Sequence, residues 1–91
     1  MTQKEAIFLK EEFEKNALGL ILKGRVLDTY YEAERILRGW DKPNRRSCSC
    51  DFKNMARITT SLFEQNYETI NKLYEQAKMD SGSSSGGPSN L

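Results

Sequence analysis

The stretch FEKNALGLILKGRVLDTYYEAERILRGW, residues 13–40, decides how this chain folds. Read at helical spacing it carries two apolar stripes. One runs through Phe13, Ala17, Leu20, Gly24, Leu27 and Tyr31; the other runs through Leu18, Leu22, Val26, Tyr30, Ala33, Leu37 and Trp40 on an adjoining face. A helix apolar over so much of its girth has to be buried on more than one side. One further good helix is available in the chain to cover it. The pattern therefore points to partner helices from a second molecule.

Toward the N-terminus, Thr2-Gln3-Lys4-Glu5 has the spacing of a capping box, with Thr2 as N-cap and Glu5 reaching back. Helix formers follow as far as Arg38, interrupted by Gly19 and Gly24. Each glycine costs about 1 kcal/mol relative to alanine in a helix interior. Neither is followed by turn chemistry, so the expectation is one long helix over residues 3–38, bent near Gly19, with a break there as the alternative. Glu11–Lys15 and Glu34–Arg38 are spaced to pair along its exposed face.

Toward the C-terminus, Gly39 suits a helix end and Lys42-Pro43-Asn44 prevents continuation. A loop over Gly39–Ser49 leads to a second helix, expected at 51–79 and capped by Ser49 or Asp51. Met55, Ile58, Leu62, Ile70, Leu73 and Ala77 line one side of it, and Phe52, Ala56, Phe63, Tyr67 and Tyr74 lie beside them. Thr59-Thr60-Ser61 is a weak point, because Ser61 and Glu64 have capping-box spacing of their own. The predicted architecture is all-α: a long antiparallel helical hairpin over residues 1–80, or a three-helix fold if the chain breaks near Gly19 or Thr60. Residues 81–91, SGSSSGGPSNL, lack apolar surface and are expected to form a disordered tail.

Charged residues make up 30% of the chain, yet 14 Lys and Arg nearly cancel 13 Asp and Glu. No global basic field draws it toward nucleic acid or an anionic membrane. The longest apolar run, Ala17–Leu22, is far short of a membrane span, and Lys4, Glu5 and Lys10 interrupt any secretory-type apolar segment. A cytoplasmic, reducing location is the expectation. The absence of histidine removes the usual general base near neutral pH, and no Gly-rich phosphate loop or nucleophile elbow occurs. The chain reads as a non-enzyme without a cofactor.

Three sets of residues are candidates for function. Leu18, Leu22, Val26, Tyr30, Leu37 and Trp40 form the stripe a lone hairpin leaves uncovered, and an exposed apolar patch of that size marks a contact surface. They are the expected contact with a helical partner or a second copy. Lys42, Arg45 and Arg46 form a short basic loop whose arginine forks suit phosphate, giving a small nucleic-acid-binding protein as the alternative. Cys48 and Cys50 sit at a helix N-terminus beside those arginines, a setting that favours thiolate. Two cysteines in a chain without histidine fall short of the four ligands of a zinc site, so metal binding there needs two copies meeting at an axis.

The run Arg46-Ser47-Cys48-Ser49-Cys50-Asp51-Phe52-Lys53 resembles segments of small helical proteins encoded by tailed bacteriophages. The resemblance implies a virion-associated or assembly component, in which small helical subunits pack in rings.

Overall fold

Thr2 and Glu5 start the first helix by capping one another. Thr2 Oγ1 accepts the Glu5 N–H at 3.1 Å and Glu5 Oε1 accepts the Thr2 N–H at 2.9 Å. In the computed structural model, which describes residues 1–20 and 22–85, that helix is α1 (Gln3–Phe8), and it passes directly into a π-helical stretch, Leu9–Glu14. Then come α2 (Gly24–Arg38), α3 (Ser49–Gln65) and α4 (Tyr67–Ser85). No strand occurs among the described residues, so the fold is all-α as expected.

The single helix expected over residues 3–38 does not form. Gly19 and Gly24 take left-handed backbone, at φ +83° and +55°, a region that costs other residues about 1–2 kcal/mol. Between them the chain leaves the helix. The Leu18 N–H reaches back five residues to Phe13 O at 2.8 Å, the Leu20 N–H turns to Ala17 O at 3.0 Å, and the Gly19 N–H is taken by the Tyr30 hydroxyl at 3.1 Å. This reversal lays α2 against the segment before it. Phe13, from one apolar stripe, then meets Tyr30, from the other, edge to face with ring centroids 4.9 Å apart. The two stripes cover each other within one chain.

The π-helical stretch has a visible reason in the sequence. Leu9, Phe13 and Ala17 are all buried and all four residues apart, and at 3.6 residues per turn a four-residue spacing drifts around a helix by about 40° per step. Wider turns keep those three side chains in line.

Gly39 closes α2 as anticipated. Its φ is +71°, the Gly39 N–H bonds Ile36 O at 3.2 Å and the Trp40 N–H bonds Arg35 O at 2.9 Å, the pattern of a Schellman end. The N-cap of α3 is Cys48, rather than the Ser49 or Asp51 expected. Its carbonyl accepts the Asp51 and Phe52 N–H groups at 3.0 and 3.1 Å.

The second expected helix, 51–79, is interrupted once, at Asn66 and not near Thr60. Thr60 lies inside α3, next to a fully buried Thr59 whose hydroxyl approaches Met55 Sδ at 3.5 Å. Asn66 leaves helical backbone, at φ −105° and ψ 10°, and its side-chain amide donates to Leu62 O at 2.8 Å. Backbone bonds still span the interruption, from Asn66 N–H to Leu62 O and from Ile70 N–H to Asn66 O. The helix α4 then carries through to Ser85. Residues 86–91, the rest of the expected tail, lie outside the described residues.

α1 packs on α4 and α2 on α3, in a body of 52 × 22 × 21 Å. Phe13 is where they converge, with the Phe63 ring 5.2 Å away on its other side. No helix among the described residues is long and apolar enough to cross a membrane. Phe13→Ala is expected to remove about 3–5 kcal/mol, a large share of the 5–15 kcal/mol that holds a typical domain. A loss of unfolding free energy in urea of less than a third of that would place the centre of the core elsewhere.

Candidate functional site

The reversal changes which apolar side chains face water. Of the six expected at a partner contact, Tyr30 is core, at 3% exposure. Leu18, Leu22, Val26 and Leu37 are half-buried and pack against that core. Trp40 is half-buried too, with the Arg38 guanidinium 4.9 Å from its ring centroid. Leu20 projects instead, at 54% exposure, from the turn between the two left-handed glycines. Leu18 and Leu22 flank it in sequence, so the exposed edge of the stripe is a short leucine knuckle. The sequence pattern had set Leu20 on the other stripe; the break re-aims it.

The basic loop is bound down onto α2. Glu34 is completely buried, and its carboxylate accepts Arg38 Nε at 3.0 Å and Arg46 Nη2 at 3.0 Å, with a further bond from Arg46 Nη1. The Tyr31 hydroxyl accepts the Arg46 N–H at 2.9 Å and donates to Arg46 O at 3.1 Å. Those bonds to Glu34 hold the Arg46 pKa above its ordinary value. Arg46 therefore neutralises a buried acid and is not free for phosphate. Arg45 pairs with Asp28 at 2.9 Å, both more than half exposed, and lies 5.2 Å from the Tyr31 ring centroid. Lys42 is exposed.

The sequence pairs Glu34 with Arg38 but sets them on the exposed face, whereas Glu34 is buried; Lys10 was missed altogether. Both occupy positions of the apolar pattern: Glu34 is three residues beyond Tyr31, and Lys10 is three before Phe13. A charge on a buried stripe was the available signal. Lys10, 9% exposed, donates to the Tyr67 hydroxyl at 2.8 Å and pairs with Glu14 at 3.0 Å, its ammonium 4.5 Å from the Tyr67 ring centroid. Desolvation works against the ammonium, but the bonds to Tyr67 and Glu14 outweigh it and raise its pKa. Beside it Tyr74 donates to Glu11 at 2.9 Å, which pushes the phenol up. Charged lysine and protonated tyrosine clamp α4 to the π-helical stretch, and neither is poised as a base or nucleophile.

Cys48 and Cys50 are exposed, free thiols whose Sγ atoms touch at 2.7 Å. The Cys50 thiol, then the Cys50 and Asp51 backbone N–H groups, draw the Cys48 pKa below its ordinary value, while the same thiol contact raises that of Cys50. Among the described residues no group of three or more His, Cys, Asp or Glu side chains is placed to hold a metal ion.

Compared with known proteins, the chain matches no family model, no curated protein and no solved structure.

Glu34→Ala leaves Arg46 and Arg38 without their carboxylate and is expected to cost about 3–5 kcal/mol. Arg45→Ala, which breaks an exposed pair, should cost no more than about 1 kcal/mol. Urea unfolding of the two variants side by side checks this; equal losses would mean that Glu34 does not anchor the loop.

Proposed function

We propose that the chain is a non-enzymatic helical interaction module that associates with a second copy of itself. The observation that carries this reading is Leu20, an exposed leucine held out by two left-handed glycines, with half-buried Leu18 and Leu22 beside it. In a two-fold contact the same edge meets itself, so one knuckle supplies both sides. Val26, half-buried on the first turn of α2, extends the edge. Because Tyr30 and most of the expected stripe serve the internal core, the contact is smaller than a full four-helix bundle would require.

A two-fold contact buries Leu20 from both copies, about 3–6 kcal/mol at most, and association costs at least about 4 kcal/mol. A pair built on this edge is therefore weak and depends on concentration. That behaviour suits a subunit that joins a larger assembly through several contacts, and the resemblance of residues 46–53 to phage helical proteins fits a virion or assembly component. An intracellular, virion-associated setting and the absence of catalysis belong to the same reading.

The variant that tests it must leave the fold intact. Leu22 and Val26 pack against the core, so charging them would unfold the chain as readily as dissociate it. Leu20→Asp is expected to keep stability within about 0.5 kcal/mol while abolishing self-association in sedimentation velocity at rising concentration. A wild-type chain that stays monomeric throughout, or a variant that associates unchanged, would sink the proposal.

One contact favours a second reading, binding of nucleic acid. The Arg45–Asp28 pair folds the basic loop back onto α2, one turn from Arg25. Lys42, Arg45 and Arg25 would then meet phosphates, with Arg46 excluded by its role at Glu34. Lys42→Ala with Arg45→Ala should weaken binding to a DNA duplex and flatten its salt dependence. Absent or salt-insensitive binding of the wild-type chain at low ionic strength removes this reading.

A further inference from the structure

We infer that Cys48 and Cys50 form a thiol–disulfide exchange site, in which Cys48 attacks an external disulfide and Cys50 resolves the product into an intramolecular disulfide. Four observations support it. Both thiols are free and open to solvent, so a disulfide can reach them. Their sulfurs lie 2.7 Å apart, unbonded but already facing one another, within reach of the about 2.05 Å of a disulfide. Cys48 is the N-cap of a 17-residue helix, where backbone N–H groups and the helix dipole stabilise a thiolate. The pair is also asymmetric: contact with the Cys50 thiol favours ionisation of Cys48 and disfavours that of Cys50, which separates an attacking sulfur from a resolving one.

The neighbouring charges define what activates the site. Arg46 is bonded to Glu34 and Arg45 to Asp28, so the arginines expected to activate the thiols are engaged elsewhere. The Asp51 carboxylate, on the third residue of the helix, opposes ionisation at both sulfurs. Activation thus falls to the thiol contact and the backbone. The same surroundings disfavour a resident metal, because no third ligand is in place among the described residues and structural zinc takes four.

The exchange balances without a further reagent. The Cys48 thiolate attacks one sulfur of a disulfide RSSR; a Cys48–SR bond forms and RS⁻ leaves with the electron pair of the broken bond. Cys50 gives up its proton to solvent and attacks Cys48 Sγ, forming the Cys48–Cys50 bond and expelling the second RS⁻. The dithiol loses two electrons and two protons, and the disulfide becomes two thiols. Attack of thiolate on disulfide through a mixed intermediate is the general course of this chemistry. The substrate class is a small or surface-exposed disulfide, since nothing in the site encloses it.

Oxidised glutathione added to the reduced full chain, quenched by alkylation and read by intact mass, tests the assignment. The expected wild-type product is a monomeric chain lacking two hydrogens. Cys50→Ser, whose hydroxyl can still donate to the Cys48 sulfur at the helix N-cap, should instead accumulate one glutathione on Cys48, and Cys48→Ser, which leaves only the resolving sulfur, should react about three to ten times more slowly. Helical circular dichroism equal to wild type establishes that each variant is folded, and Cys→Ala replaces any that is not. Equal rates for the two single variants overturn the division of roles. A wild-type product that stops at the glutathione adduct, or forms only disulfide-linked dimers, overturns the site. A native mass spectrum showing two chains bridged by retained zinc overturns it in favour of a metal centre.

Discussion

Phe13 reaches Tyr30 only because the chain reverses between Ala17 and Gly24. That edge-to-face contact, at 4.9 Å, joins two apolar stripes that a straight helix would have pointed in different directions. Tyr30 serves the reversal twice: its ring packs on Phe13, and its hydroxyl accepts the N–H that Gly19 can no longer give to a helix. Gly19 is exposed, so the bond's effect is to fix the turn against α2 and its net worth is about 0.5–1.5 kcal/mol. The left-handed glycines cost comparatively little, since glycine visits that region freely. Burial of two aromatic rings, at about 1.5–3 kcal/mol for each large side chain, outweighs what helix continuity would have added.

A second constraint follows from the first. Once α2 is turned back, the face bearing Tyr31 and Glu34 is covered, and a bare carboxylate there would be very costly. Arg46 and Arg38 supply the countercharge, and Tyr31 fixes the Arg46 backbone at both its N–H and its carbonyl. A buried ion pair adds little net stability over an apolar replacement, but removing one partner is costly. Its effect here is positional. It sets where the loop ends, and hence where Cys48 begins α3 and where Phe52 meets the Tyr31 ring at 6.4 Å.

Features with a local cause were legible in the sequence. Thr2 with Glu5, and Gly39 at the end of α2, need only neighbours within a few residues, and both behave as read. The break at Gly19 could be posed but not decided, because its deciding term is the distant contact between Phe13 and Tyr30. Ser61 and Glu64 carry a genuine capping signal, yet burying Thr59 and Met55 keeps α3 helical through them. Asn66 gave no comparable warning; the interruption there is accompanied by a side-chain bond to Leu62 O, which an asparagine makes only in some helical settings. For the site, the cysteine pair was visible as spacing, whereas the engagement of Arg46 could be seen only once Glu34 was known to be buried.

These constraints also determine what is left for function. The fold spends its conspicuous cations internally: Lys10 on Glu14 and Tyr67, Arg35 on Glu32 and Glu5, Arg38 and Arg46 on Glu34. With a net charge of +1, little unpaired field remains to select a partner at long range. The two proposals accordingly rest on short-range features, apolar contact at Leu20 and thiol chemistry at Cys48 and Cys50. Both sit where a regular helix is suspended, at the reversal before α2 and at the cap that begins α3. Two adjacent tyrosines of α2 tie both features to the core: Tyr30 accepts the Gly19 N–H beside Leu20, and Tyr31 holds the Arg46 backbone two residues before Cys48.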